Sequence, residues 1–260
     1  MKKRISLLLL ICLVTTIISG EELLASNTLD SSNVNVELMT SEQIDAFFEK
    51  ANVPEQKIEE LDDELKKFII SNSGTNIEYV EVIREEIVAP RANGYTISTT
   101  ELSLSVVVFK SGNQLEIYPT YEWLTPTKPK GKDYFGYAVS SSYSAVPNER
   151  SNRIWYKLDV DDAWTVSGSA TYTGSSIYGY EHSGSSLGSP DFKLYLKGCF
   201  YYKVDIDSSN PVKKIAMSYV HDKSWFSSVS YGVSYGPASI SITPSSSNVG
   251  YQNGVFWLNY

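Results

Sequence analysis

Leu102, Leu104, Val106 and Val108 alternate with Glu101, Ser103 and Ser105, and beyond Gly112-Asn113 the alternation resumes at Leu115, Ile117, Tyr121 and Trp123. A period of two residues is that of a strand with one face buried. A two-residue loop at Gly112-Asn113 sets Val108 opposite Ile117, Leu104 opposite Tyr121 and Leu102 opposite Trp123, so the apolar faces coincide. A slip of one residue would set apolar against polar. The pattern over residues 95–123 therefore predicts a β-hairpin of defined register. An isolated hairpin is marginal in water, so a second layer must cover it.

The alternation returns near the C-terminus, where Trp225, Val229, Tyr231, Val233 and Tyr235 share one face with Ser228, Ser230, Gly232 and Ser234 on the other. A turn at Gly236-Pro237 places Val233 opposite Ile240 and Tyr231 opposite Ile242. Asn253-Gly254 predicts a last tight turn before Val255-Phe256-Trp257-Leu258. Residues 134–139 and 154–160 predict further strands, and the Gly-, Ser- and Tyr-rich stretch 167–190 one or two more with exposed turns. Residues 192–206 are apolar on both faces, which places them centrally between two layers. The Pro- and Lys-rich residues 125–133 form a loop. About nine or ten short strands at roughly regular spacing predict a mainly β chain folded as an antiparallel β-sandwich, with a barrel as the alternative.

A different period precedes the strands. Thr40-Ser41-Glu42-Gln43 matches a capping box, and Ile44, Phe47, Phe48 and Ala51 follow at helical spacing. That helix stops at Asn52, and Pro54 opens a second one whose stripe is Ile58, Leu61, Leu65, Phe68 and Ile69, with Glu59, Glu60, Asp62, Asp63 and Glu64 toward water. Residues 77–88 alternate weakly and read as strand or linker. The segment VPEQKIEELDDELKKFI, residues 53–69, resembles helical segments near the start of uncharacterised secreted proteins of low-GC Gram-positive bacteria. That resemblance implies a secreted Gram-positive protein and no particular activity.

Charge separates the two periods. Residues 41–86 hold 13 acidic and 5 basic side chains, a net charge of −8, whereas residues 92–260 hold 13 of each. All five Trp and 18 of the 19 Tyr lie in the second stretch, so Ala89-Pro90-Arg91-Ala92 marks a boundary. The chain is thereby read as a leader over 1–25, an acidic helical segment and linker over 26–91, and a β-sandwich domain over 92–260. Cleavage near Arg91 would make the acidic helices a pro-segment. Neither stretch carries the basic patch that phosphate contacts need, which argues against nucleic acid.

Lys2, Lys3 and Arg4 precede the apolar run Leu7 to Val14, and small residues follow at Gly20 and Ala25. This is the pattern of a secretory signal, and the apolar run is shorter than the ~20 residues of a membrane span. No second run of spanning length follows, so the mature chain is expected to be secreted, without a transmembrane segment. Removal of the leader also removes Cys12 and leaves Cys199 alone in an apolar run, a buried thiol rather than half of a disulfide.

Four features carry candidate chemistry. Gly184-Ser185-Ser186-Leu187-Gly188 has the spacing of a nucleophile elbow, and Asp205 or Asp207 followed by His221 has the hydrolase order; yet Pro190 stands where the following helix is needed. His182 and His221 are the only histidines, too few and too far apart for the usual zinc set. Asp159, Asp161 and Asp162, and separately Asp205 and Asp207, supply hard oxygen ligands, so calcium is the one candidate cofactor. Tyr172, Tyr178 and Tyr180 stand among hydroxyls, a composition suited to stacking on a glycan or a protein surface. The function expected is a secreted, non-catalytic β-sandwich that binds a cell-surface, cell-wall or protein partner. A toxin or bacteriocin-like pore former with a helical pro-segment is the alternative, and a serine esterase-type hydrolase a third.

Overall fold

The computed structural model describes residues 35–85, 94–127, 132–176, 179–185, 193–222, 229–234, 239–244 and 249–260. The chain divides at Leu38 into two units, and everything below concerns the second, Met39–Tyr260. Of the first, the described part includes a 3-10 turn at Val36–Leu38.

The capping box forms as the sequence predicts. The Gln43 N–H donates to Thr40 Oγ1 and the Thr40 N–H donates to Gln43 Oε1, opening α1 (Ser41–Lys50). Asn52 ends that turn of chain in the left-handed region at φ 61°. The stripe from Ile58 to Ile69 is not one helix. It breaks at Leu61-Asp62 into α2 (Glu55–Glu60) and α3 (Asp63–Asn72), because Asp62 leaves helical geometry to cap α3, its carboxylate accepting from the Leu65 N–H at 3.1 Å.

The strands follow as β1 (Glu78–Tyr79), β2 (Glu81–Glu85), β3 (Tyr95–Thr96), β4 (Leu102–Ser111), β5 (Gln114–Trp123), β6 (Lys132–Val139), β7 (Tyr143–Lys157) and β8 (Thr165–Gly168). Then come β9 (Thr171–Ser176), β10 (Gly179–Ser185), β11 (Tyr195–Ile206), β12 (Lys214–Asp222), β13 (Val229–Ser234), β14 (Ser239–Pro244) and β15 (Val249–Asn259). One sheet has the order β1-β4-β5-β11-β7-β8 and the other β2-β15-β12-β6-β10-β9, with β3 also on β15 and β13-β14 a separate hairpin. The two sheets pack face to face as an antiparallel sandwich, not as a closed barrel. The strands exceed nine or ten in part because two of them, β1 and β3, have only two residues each and are too short to leave a period in the sequence.

The central hairpin keeps the register read from its pattern: Leu102 opposite Trp123, Leu104 opposite Tyr121 and Val108 opposite Ile117, with Gly112 at φ 59° in the loop. The second hairpin likewise pairs Tyr231 with Ile242 and Val233 with Ile240, while its turn lies outside the described residues. Asn253-Gly254 makes no turn. It sits within β15 opposite Ser218 and Met217, because pairing continues without a break from Val249 to Trp257 and Ser218 Oγ donates to Asn253 Oδ1 at 2.6 Å. Of residues 77–88, those described, through Glu85, form strands of different sheets, since the chain crosses from β1 on β4 to β2 on β15 at the buried Val80.

Between the sheets, Leu102, Leu104, Ile117 and Trp123 meet Phe135, Tyr137, Phe200, Tyr202, Met217 and Tyr219. The outer face of the first sheet is buried as well, under α1 and α3. There Phe48 packs against Phe109 at 6.5 Å between ring centroids and Phe68 meets Trp155 edge-on at 5.9 Å. The central β11 is therefore buried on both faces from Leu196 to Tyr202, as the apolar run predicts.

Candidate functional site

On β5 and β11 the residues facing the helices are Glu116, Tyr118, Thr120 and Glu122, and Lys197, Cys199, Tyr201 and Lys203. The ladder sets Glu116 opposite Lys203 and Glu122 opposite Lys197, so two oppositely charged pairs bracket an apolar middle. Glu116 is 1% exposed; both its oxygens lie 3.2 Å from the Gly74 N–H, and Oε1 is 3.4 Å from Lys203 Nζ. Burial still outweighs these partners and holds the Glu116 carboxyl above its ordinary range. Burial does the same to Glu122. Cys199 between them is fully buried, and burial pushes its thiol up to about 12.

Lys197 is the most enclosed charge of the ladder at 0% exposure. Its Nζ lies 2.5 Å from Asp62 Oδ2, 4.2 Å from the Trp164 ring centroid and 5.2 Å from that of Trp155. Asp62 thus pairs with Lys197 while its side chain stays 35% exposed, a partner that its place among acidic neighbours does not suggest. Uncovering a lysine in the centre of an apolar sheet would leave a charge without a partner, which a neighbouring carboxylate prevents.

Asp62 and Glu122 also line a cleft of about 310 Å³ whose other walls are Lys57 and Glu60 of α2, Tyr79 and Arg84 around the crossover, and residues 103–107 of β4. Strand β1 pairs only with Phe109 and Lys110, so the rest of β4 forms the rim of its sheet along this cleft. Arg84 Nη1 donates to the Leu104 carbonyl at 3.3 Å, and its buried Nε has no partner among the described residues. The cleft therefore combines a sheet edge, an apolar wall and spare donors. These are the parts with which an extended chain is held.

A second polar network lies at Asp133. His221 Nδ1 is 2.6 Å from Asp133 Oδ1, the Tyr219 hydroxyl donates to Asp133 Oδ2 at 2.8 Å, and Trp123 Nε1 donates to that hydroxyl at 3.1 Å. His221 is 1% exposed. The carboxylate at His221 is accordingly Asp133, which belongs to the start of β6 and not to the loop expected through residue 133. Asp205 and Asp207 engage other groups: Asp205 Oδ1 accepts from Gln114 and Asp207 Oδ1 from Ser144. Ser186 lies outside the described residues.

The remaining sequence candidates fall as follows. Asp159 and Asp162 fold a local turn, with the Asp159 N–H donating to Asp162 Oδ2 and Asp159 Oδ1 accepting from Val160, while Asp161 is exposed beside them. They are not joined by Asp205 or Asp207, and no group of three or more His, Cys, Asp or Glu side chains able to hold a metal occurs among the described residues. Tyr172 is opposite His182 in the β9–β10 ladder and Tyr180 opposite Tyr137 in the β10–β6 ladder. Their side chains, and Tyr178 altogether, lie outside the described residues. Among the described residues no helix is long and apolar enough to cross a membrane. Lys197, Asp62, Glu122 and Arg84 were absent from the sequence candidates. The signal available for Lys197 was a charge in the middle of the most apolar run of the β region.

No family model matches the sequence, and neither does any curated protein. Among solved structures the chain is similar to the collagen-binding subdomain of the Enterococcus faecalis surface protein ACE, at 10% identity and TM-score 0.29 over 55% of this chain and 88% of that one. It is similar also to the collagen-binding domain of a Staphylococcus aureus adhesin, at 6% identity and TM-score 0.31 over 58% and 95%. A third is the KRT10-binding region domain of the pneumococcal serine-rich repeat protein PsrP, at 11% identity and TM-score 0.27 over 55% and 86%.

Proposed function

We propose that this chain is a secreted, non-catalytic binding protein that holds an extended stretch of a protein partner in the cleft beside β4. The observation that carries the reading is the stretch of β4 along that cleft that takes no strand partner on its outer side. There the Arg84 and Gln252 side chains hold the Leu104 and Leu102 carbonyls, Val80 holds that of Val108, and Val106 between them is left for a partner's backbone. Arg84 adds side-chain donors and Tyr79 an aromatic wall. The charges of the cleft are mixed, Lys57 and Arg84 against Glu60, Asp62 and Glu122, which suits a polypeptide better than a polyanion.

The test is binding of the full mature chain to immobilised extracellular proteins, to peptidoglycan and to glycans, alongside a Ser105→Lys variant. Ser105 is exposed on the β4 rim, and an edge lysine opposes strand addition without touching the core. Binding to a protein that Ser105→Lys reduces tenfold or more, at unchanged thermal stability, supports the reading. Binding confined to glycan, or protein binding indifferent to the substitution, overturns it.

A further inference from the structure

Lys197, Asp62 and Glu122 are arranged for more than charge balance. We propose that Lys197 and Asp62 condense to an amide, tying the Asp62 cap of α3 covalently to β11, with Glu122 carrying the proton. Lys197 Nζ lies 2.5 Å from a carboxylate oxygen of Asp62, so the nitrogen needs almost no approach to reach Cγ. Residues 62 and 197 are 135 positions apart in the chain, and the fold supplies the proximity that two separate molecules would lack. Proximity of this kind is equivalent to roughly 10⁵–10⁸ M of reactant.

The balance is closed without any other reagent. The ammonium of Lys197 gives up a proton, its nitrogen lone pair attacks Cγ of Asp62, and one carboxylate oxygen leaves as water with two protons that were on the nitrogen. A C–N bond forms and a C–O bond breaks; nothing is oxidised or reduced. Glu122 stands opposite Lys197 in the ladder and lines the same cleft as Asp62, so it can take the proton from nitrogen and return it to the departing oxygen. Burial holds Glu122 toward its protonated form, which suits that relay. The cleft at Asp62 and Glu122 gives the released water an exit.

The surroundings favour the product. Lys197 is fully buried, with the Trp155 and Trp164 rings over its Nζ, so its ammonium bears the cost of leaving water while Asp62 stays partly exposed. The amide is neutral and removes that cost. By contrast Lys203 and Glu116, the other pair on this face, stand farther apart at 3.4 Å, with Lys203 partly exposed and shared with Glu149 at 3.6 Å.

Mass spectrometry of the full chain decides the matter, with the N-terminus of the secreted protein sequenced to fix the mass expected. Loss of one water, ~18 Da, with a branched tryptic peptide joining the segment of Asp62 to that of Lys197 and no cleavage after Lys197, is the result expected. A Lys197→Arg variant has the full mass, and Glu122→Gln accumulates the linked form at least tenfold more slowly after refolding. An intact mass equal to that of the unlinked chain, with a free Lys197 in the peptide map, overturns the proposal. So does a water loss mapped to any other pair. Linkage at the wild-type rate in Glu122→Gln overturns the role given to Glu122.

Discussion

Gly198 lies directly opposite Tyr121 in the β11–β5 ladder, and the tyrosine ring covers the place a side chain would take. A Cβ on residue 198 would stand 2.5 Å from Tyr121 Cε1 and 2.7 Å from Cζ. The ring has nowhere to go, since Tyr219, Phe135 and Phe200 surround it at centroid distances of 4.6, 5.3 and 6.1 Å. Gly198→Ala is therefore expected to destabilise the fold by on the order of 1–3 kcal/mol through overpacking, read as a lower midpoint in urea with an unchanged slope. An alanine variant as stable as the parent would mean that the ring is not held there.

Glu116 predicts a pH dependence. Its folded-state carboxyl is raised above the usual 4.5 by burial, so between that value and the raised one the folded chain binds more protons than the unfolded chain. Its contribution to stability is then fully present below the ordinary value and is lost as pH rises through the raised one. Urea midpoints for the parent and for Glu116→Gln, followed from acid to neutral pH, should diverge in the variant's favour across that window and run parallel above it. A constant difference would show that burial does not shift this group.

Cys199 is fully buried with its thiol pushed up to about 12, so little thiolate exists at neutral pH and no reagent reaches it. In the native protein at pH 8 it is expected to resist a disulfide-exchange reagent for hours. In denaturant it should react within minutes. Rapid labelling without denaturant would place the thiol at the surface.

The helices bury Phe109, Tyr118, Trp155 and Tyr201 on the outer face of the first sheet, and Ser73 Oγ meets the Tyr118 hydroxyl at 2.8 Å. Phe68→Ala should cost about 3–5 kcal/mol, because it opens a cavity against Trp155. A chain beginning at Ala92 would expose that aromatic face and should aggregate or bind a hydrophobic dye. Should such a chain be monomeric and as cooperative in melting as the longer one, the helices would be dispensable, as a pro-segment is.

Local rules were enough for the parts of this protein in which neighbours along the chain decide. Thr40 and Gln43 are three residues apart and satisfy each other's orphan groups whatever packs around them. The period of two over residues 102–123, with glycine in the loop, allows one register because any other would set apolar against polar. Tertiary structure decided what depends on distant partners. Glu116, Tyr118, Thr120 and Glu122 alternate like a solvent face and are covered instead by helices whose docking no local pattern encodes. Asn253-Gly254 has turn chemistry and yet stays in β15, since ladders with β12 outweigh the local preference. Asp62 reads as one of a row of solvated acids until the sheet brings Lys197 beneath it, 135 residues later. A charge in an apolar run shows in the sequence that a partner must exist; only the folded chain shows which one.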